Sequence, residues 1–222
     1  MTDTVLSHTV RPDTSSVPAI RLFIILVLLC WLALIFFLGL GEVFPTPPSS
    51  PPLPILIALL VPIIVFFAAY LISSSFREFV LAADLRFMTG MQAWRFAGFA
   101  FLALNTYAIL PGYFARPAGL GDMAIGVTAP WILVALIRRP SFVASKTFVA
   151  WNLFGLLDLV VAVTLGALGP RLFASDAVGL VKTSAMAYLP LVLVPAYLVP
   201  MFIILHTSAL LQARHVAKHR SI

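Results

Sequence analysis

Apolar residues in this chain come in runs of about twenty, parted by short stretches rich in proline, glycine, serine or charge. Runs of that length suit helices crossing a hydrocarbon core of about 30 Å, and a helix satisfies its own backbone groups where no water can. The pattern predicts six spans, at about 22–44, 53–72, 92–110, 119–137, 147–169 and 187–206. A tail at 1–21 precedes them and a basic tail at 207–222 follows. The first run has a small-residue end at Gly39 and Gly41 like a secretory signal, but its apolar core exceeds the 7–15 residues of a signal core. It is read as a retained helix.

The breaks carry their own patterns. Residues 45–54, PTPPSSPPLP, have the proline density of a stiff extended spacer; an interhelical connector is preferred to a proline-rich recognition site. Pro62 predicts a kink in the second span. In 73–90, Phe76, Phe79, Val80, Ala83 and Phe87 form a stripe while Arg77, Glu78 and Asp84 lie off it, with Arg86 out of pattern. Ser75 and Glu78 have capping-box spacing, which predicts one short interfacial helix rather than a solvated loop. Pro190, Pro195 and Pro200 predict an irregular last span with freed carbonyls. LPILIALLVP from Leu53 and LPLVLVPAYLVP from Leu189 hint at an internal repeat.

Composition supports the same class. The chain has 222 residues, 62% hydrophobic and 10% charged, against about 25% charged in soluble domains. Its one cysteine, Cys30, excludes an internal disulfide framework and multi-thiolate metal sites. The net charge of +6 sits in the flanks of the spans, a pattern of membrane orientation rather than nucleic-acid binding. One side collects eleven basic residues: Arg11, Arg21, Arg77, Arg86, Arg95, Arg138, Arg139, Lys146, Arg214, Lys218 and Arg220. The other has three: Arg116, Arg171 and Lys182. The positive-inside tendency then puts both termini in the cytoplasm. The fold class expected is all-α, six transmembrane helices, N-in/C-in, with one short cytoplasmic interfacial helix.

Polar residues inside such spans need a reason. Asp158 falls about 16 Å from either end of the fifth span, where a charge costs about 3 kcal/mol on insertion scales. Trp151, Gly155, Asp158, Ala162 and Gly166 share a helical face, and its small residues would admit a donor from another helix. Asn105, at similar depth on the third span, is a candidate partner. Asp158 is read either as a structural interhelical hydrogen bond or as a proton-titrating acid or ligand contact. Gln92, Arg95, Asn152 and His206 form a second set, expected near the cytoplasmic side. An arginine there either binds an anionic group with its several donors or snorkels to lipid phosphates. His206 cannot build a metal or haem site, because His8, His215 and His219 lie in the tails.

FARPAGLGDMAIG, 114–126, is expected as the outer connection between the third and fourth spans. Pro117, Gly119 and Gly121 would turn the chain there. Asp122 would lie in the first turn of the next helix, favoured by exposed amides and paired with Arg116. The set is read as helix-start chemistry or as an outer ligand mouth. GLGD also matches the Gly-x-Gly-Asp signature of intramembrane aspartyl proteases, with Asp158 as a second acid. The order is reversed relative to presenilin, no proline-alanine-leucine motif follows, and the depths of the two aspartates differ by about 10 Å.

Residues 91–206 resemble a widespread group of small bacterial membrane proteins of unassigned function. The resemblance rests on QAWRFAGFAFLAL, LPGYFARPAGLGDMAIGVTAP, WNLFGLLDLVVAV and LPLVLVPAYLVPMFIILH. Its recurring elements appear as Gln92, Arg95, Gly98, Pro111, Pro117, Gly119, Gly121, Asp122, Trp151, Asn152, Gly155, Asp158, Pro195 and His206. It implies a bacterial inner membrane and supplies no activity or cofactor. The combined expectation is a multi-pass protein, more a binder than an enzyme, with a polar site between its last four helices. That site would bind or pass a small solute, ion or proton, with the lipid bilayer as partner. No cofactor, catalytic residue or nucleic acid is expected. The alternative is a structural subunit of an oligomer or a larger membrane complex.

Overall fold

The computed structural model describes residues 16–47, 50–173 and 183–220, and these are helical with no strand among them. Five helices are long and apolar enough to cross a membrane: Leu22–Leu40, Leu53–Ile72, Gly112–Arg138, Lys146–Pro170 and Val194–His219. His8, Arg11 and Lys182 lie outside the described residues.

Helix α1, Ser16–Leu40, starts earlier than expected because Pro18 falls in the first turn, where its missing N–H has no acceptor to serve. Helix α2 covers Leu53–Ile72. The stretch after it forms two short helices rather than one: α3, Ser74–Ala82, and α4, Leu85–Met91. The cap of α3 is Ser73, which accepts from the Phe76 amide at 3.2 Å, so the expected Ser75–Glu78 box is not the device. Asp84 caps α4 by accepting from the amides of Arg86 and Phe87. Arg86 looked out of pattern because it belongs to this second helix.

A 3₁₀ stretch, Gln92–Gly98, continues α4 directly into α5, Phe99–Thr106. The third predicted span is thus a chain of short helices, with no single element long enough to cross. Helix α6, Gly112–Arg138, begins seven residues before the expected 119, immediately after Pro111 in extended conformation. FARPAGLGDMAIG is therefore helix throughout, not a connection. Helix α7 covers Lys146–Leu172, with Ser145 as its cap. A short π-helical turn at Val194–Leu198 leads into α8, Val199–Arg220. Helix α8 runs on through the residues expected as a tail. Its buried Ser208, Ala209, Gln212 and Ala213 continue the packed face. The two leucine-proline stretches fold differently, one as regular α2 and one as a turn followed by the π segment, so no repeat is visible in them.

Prolines in these helices leave carbonyls without their usual donor, and at two of them another segment supplies one. Pro200 cannot donate to Ala196, whose carbonyl accepts from Trp31 Nε1 at 3.2 Å. Pro170 cannot donate to Gly166, whose carbonyl accepts from Thr183 Oγ1 at 3.1 Å. The first bond ties the outlying α1 to the π segment, beside an apolar cluster of Ile35, Phe44, Ala58, Val192 and Ala196. At the opposite end, Leu136, Val143, Phe148, Ala209 and Ala213 join α6, α7 and α8. Gln212 Nε2 donates to the carbonyls of Val80 and Ala83, closing the C-terminal end of α3.

Helix α6 and the 3₁₀ stretch meet backbone to backbone. A Cβ on Gly126 would fall on the Phe96 amide and the Arg95 carbonyl carbon, and one on Gly119 would stand 2.9 Å from the Gly98 oxygen. The glycines of the quoted stretch are there for close approach rather than for turning. Gly126→Ala should therefore lower stability by about 1–3 kcal/mol, the usual range for overpacking, despite the better helix propensity of alanine. Gly90, where an added Cβ meets only Leu133 Cδ2 at 3.8 Å, should accept alanine without loss. Thermal unfolding of the two variants in detergent checks the contrast, and equal midpoints would contradict it.

Candidate functional site

Arg95 lies in the 3₁₀ stretch, at the middle of the path from Leu85 to Thr106, with its side chain 0% exposed. Its Nε donates to Asp122 Oδ1 at 2.7 Å, and its Nη2 donates to Asp158 Oδ2. Its Nη1 donates to the Gly155 carbonyl at 3.2 Å and meets His206 Nε2 at 3.0 Å. Four of the five guanidinium donors are thereby used on three helices, α6, α7 and α8. The Phe202 ring lies 5.9 Å from the guanidinium carbon.

A guanidinium has no acceptor, so His206 Nε2 must accept from it. That puts the ring proton on Nδ1, which then donates to Asn152 Oδ1 at 2.9 Å. Asn152 Nδ2 donates in turn to the Phe148 carbonyl at 2.9 Å. The chain of bonds runs one way, from Arg95 through His206 and Asn152 into the α7 backbone. Trp151 meets the His206 ring edge-on at 5.5 Å, and its Nε1 donates to Thr128 Oγ1 at 2.8 Å.

Small residues make the room. A Cβ on Gly121 would collide with the Asp158 carboxylate, one on Gly155 with the His206 ring, and one on Gly98 with Asp122 Cβ. The face of α7 read from the sequence is used along its length. Trp151 and Gly155 abut His206, Asp158 holds Arg95, and Ala162 and Gly166 line a cavity.

Several expected placements change. Asp122 follows Gly112 by ten residues, about 15 Å of helix, and so lies mid-span near the level of Asp158. Its partner is Arg95, not Arg116. With the helix starting at Gly112, positions 116 and 122 point about 120° apart. Arg116 is exposed, and its Nε donates to Asn105 Oδ1 at 3.3 Å; Asn105 Nδ2 donates to the Leu110 carbonyl at 2.9 Å. Asn105 therefore closes the α5–α6 turn and does not reach Asp158. The expected outer mouth of Arg116, Gly119, Gly121 and Asp122 is dissolved, with all but Arg116 drawn into the mid-span packing. Arg95 and His206 lie mid-helix rather than at a cytoplasmic end, since α8 continues well past His206. Gln92, close to Arg95 in sequence, is also buried, and its Oε1 has no hydrogen-bond partner among the described residues. The depth mismatch against an aspartyl dyad disappears with the new start of α6. In its place, the Arg95 guanidinium lies on both carboxylates, where a catalytic pair would share a water.

A cavity of about 440 Å³ borders this network. Phe101, Phe114, Leu159, Val163 and Val199 are among its walls, and its rim includes Thr46 and Ser50 of the α1–α2 connection. Among the described residues that line it, Asp122 is the one charged group, and that side chain is 17% exposed against 8% for Asp158. Asp122 is the polar floor of an apolar chamber. Sequence reasoning missed it because no spacing within one helix reports which loops and helices enclose a void.

Residues 52–214 match the family described as a domain of unknown function (DUF8737), and the chain belongs to that family. The match begins with α2, well before the resemblance read from 91 onward. No curated protein and no solved structure matches the chain.

Removing the shared cation should leave the buried Asp158 carboxylate and the partly covered Asp122 carboxylate without their counter-charge. Arg95→Met is expected to cost about 3–5 kcal/mol in chemical unfolding from detergent. Adding Asp122→Asn and Asp158→Asn to it should restore a large part of that loss. A cost within 0.5 kcal/mol, as at ordinary surface positions, would contradict the described network.

Proposed function

We propose that this helical, membrane-compatible protein crosses a bacterial inner membrane six times and binds or passes a small solute, ion or proton at the Arg95 network. The path from Leu85 to Thr106 supplies the sixth crossing. Its two α-helical pieces and 3₁₀ stretch amount to roughly 36 Å at their usual rises, enough for the hydrocarbon core. Both termini lie in the cytoplasm. Arg95 leaves the flank count because it is buried mid-span, and ten basic residues against three still favour that side. The cavity beside the α1–α2 connection then opens toward the outer face.

One observation carries the functional reading: a buried acid and a partly covered one share one buried base, and the less covered acid lines a cavity. With both carboxylates ionised the group holds one negative charge in excess. Ionisable residues inside a span are costly and commonly mark substrate, ion or proton pathways. A cation or proton arriving at Asp122 competes with Arg95 for that carboxylate. Because the same guanidinium also holds Asp158, Gly155 and His206, occupancy at α6 is felt directly on α7 and α8. Asp158 is the deeper titrating acid, and Asn152 with His206 is the polar relay behind it.

The structural-subunit reading has its own support, since four of five Arg95 donors are satisfied and the network could act as a sealed fastener. The two readings differ in water access. In a Cys30→Ser background, Ala162→Cys on the cavity wall should react with a charged methanethiosulfonate reagent applied to proteoliposomes. Ser184→Cys, at the exposed rim, serves as the positive control. Labelling of the control with none at position 162 would favour the fastener and overturn the solute reading.

A further inference from the structure

Resting on the solute-site reading, we infer that the cavity takes a protonated amine with an apolar body, its ammonium group on Asp122 and its carbon skeleton among the surrounding side chains. The chemistry of the walls selects this class. The volume of about 440 Å³ falls within the usual 300–1,000 Å³ of small-molecule sites. Its interior is built largely of aliphatic and aromatic groups, so the bulk of the occupant must be apolar.

The charge at the floor sets the sign of the head group. Asp122 Oδ1 is committed to Arg95, while no hydrogen bond among the described residues engages Oδ2. A carboxylate with a free oxygen at the end of an apolar chamber calls for a cationic donor. An anionic amphiphile would set a second negative charge against an already acid-rich pair. A hard metal cation is poorly served, because Ca²⁺ requires six to eight oxygen ligands and no group of three candidate ligands occurs among the described residues. An ammonium group needs fewer partners and gains from aromatic faces. Phe101 and Phe114 stand edge-to-face at 5.7 Å in the same wall. A primary ammonium also donates a hydrogen bond to Oδ2, which a quaternary one cannot.

The test uses the full chain in nanodiscs of phosphatidylcholine, a lipid without net charge that offers amines no anionic surface. Octylammonium, octyltrimethylammonium and octanoate are titrated calorimetrically, with empty nanodiscs subtracted. Octylammonium should bind saturably at one per chain, octyltrimethylammonium at least threefold more weakly, and octanoate not at all. Asp122→Asn should weaken octylammonium binding tenfold or more. Ala167→Trp, which puts an indole into the cavity from a position outside the hydrogen-bonded network, should weaken it tenfold or more. Because the three-probe comparison is made on the unaltered chain, it decides the matter even if Asp122→Asn does not fold. Octanoate binding as well as octylammonium, or octylammonium binding unchanged by either substitution, would overturn the amine assignment. So would the absence of saturable binding by all three probes. If position 162 is nevertheless open to the thiol reagent, the solute site stands and only the amine class is lost; if it is sealed, both fall together.

Discussion

A guanidinium withdrawn from water in the middle of a helical bundle must find its counter-charges within reach, and Arg95 imposes that requirement on every neighbouring element. Taking an ion out of water costs several kcal/mol even after relaxation, and removing one partner of a buried pair is more damaging still. Arg95 meets the demand with carboxylates from α6 and α7, a carbonyl from α7 and an imidazole from α8. The relative placement of the three helices follows from where those acceptors must stand. A planar, delocalised cation suits this role better than lysine, since its donors diverge in a fixed fork.

Close approach is the second condition, and small residues meet it. Gly119 and Gly126 let the backbone of Gln92–Gly98 lie directly on α6, while Gly121 and Gly155 leave space for the Asp158 carboxylate and the His206 ring. Small residues do the same work in membrane helices generally, where packing rather than exclusion of water brings helices together. The cost of two prolines is met from other segments, with Trp31 and Thr183 donating to carbonyls that Pro200 and Pro170 leave free. Polar bonds thus lie where the backbone or a charge requires them, and leucine, valine and phenylalanine cover the outside.

Much of this was legible along the chain and much was not, for a physical reason. Hydrophobic run length reports a helix that lipid must surround, so α2 matched its expected bounds and α1 and α7 differed by a few residues. The face of α7 was readable because helical period relates residues of one element. Run length fails where polar residues interrupt a span, as at Gln92 and Arg95, or where glycine density mimics a turn, as in FARPAGLGDMAIG. It fails again past His206, where Ser208 and Gln212 read as tail but are buried, and Gln212 donates to carbonyls at the end of α3. The partners of Arg95 depend on which helices are neighbours and in what register. A one-turn change in the start of α6 exchanges Asp122 for another residue, and nothing in the sequence of α6 alone fixes that. The cavity, enclosed by segments far apart in sequence, was beyond such reasoning altogether.

The whole arrangement turns on the location of one guanidinium. Solid-state NMR of the protein in lipid, with ¹⁵N in arginine and ¹³C in aspartate carboxyls, measures its surroundings directly, and an Arg95→Lys difference spectrum assigns the signal. The account predicts strong dipolar contacts from the Arg95 nitrogens to two carboxyl carbons, one of which vanishes in Asp122→Asn, and no coupling to lipid ³¹P. Contact with phosphorus in place of the carboxyl carbons would put Arg95 at the membrane surface and contradict the account.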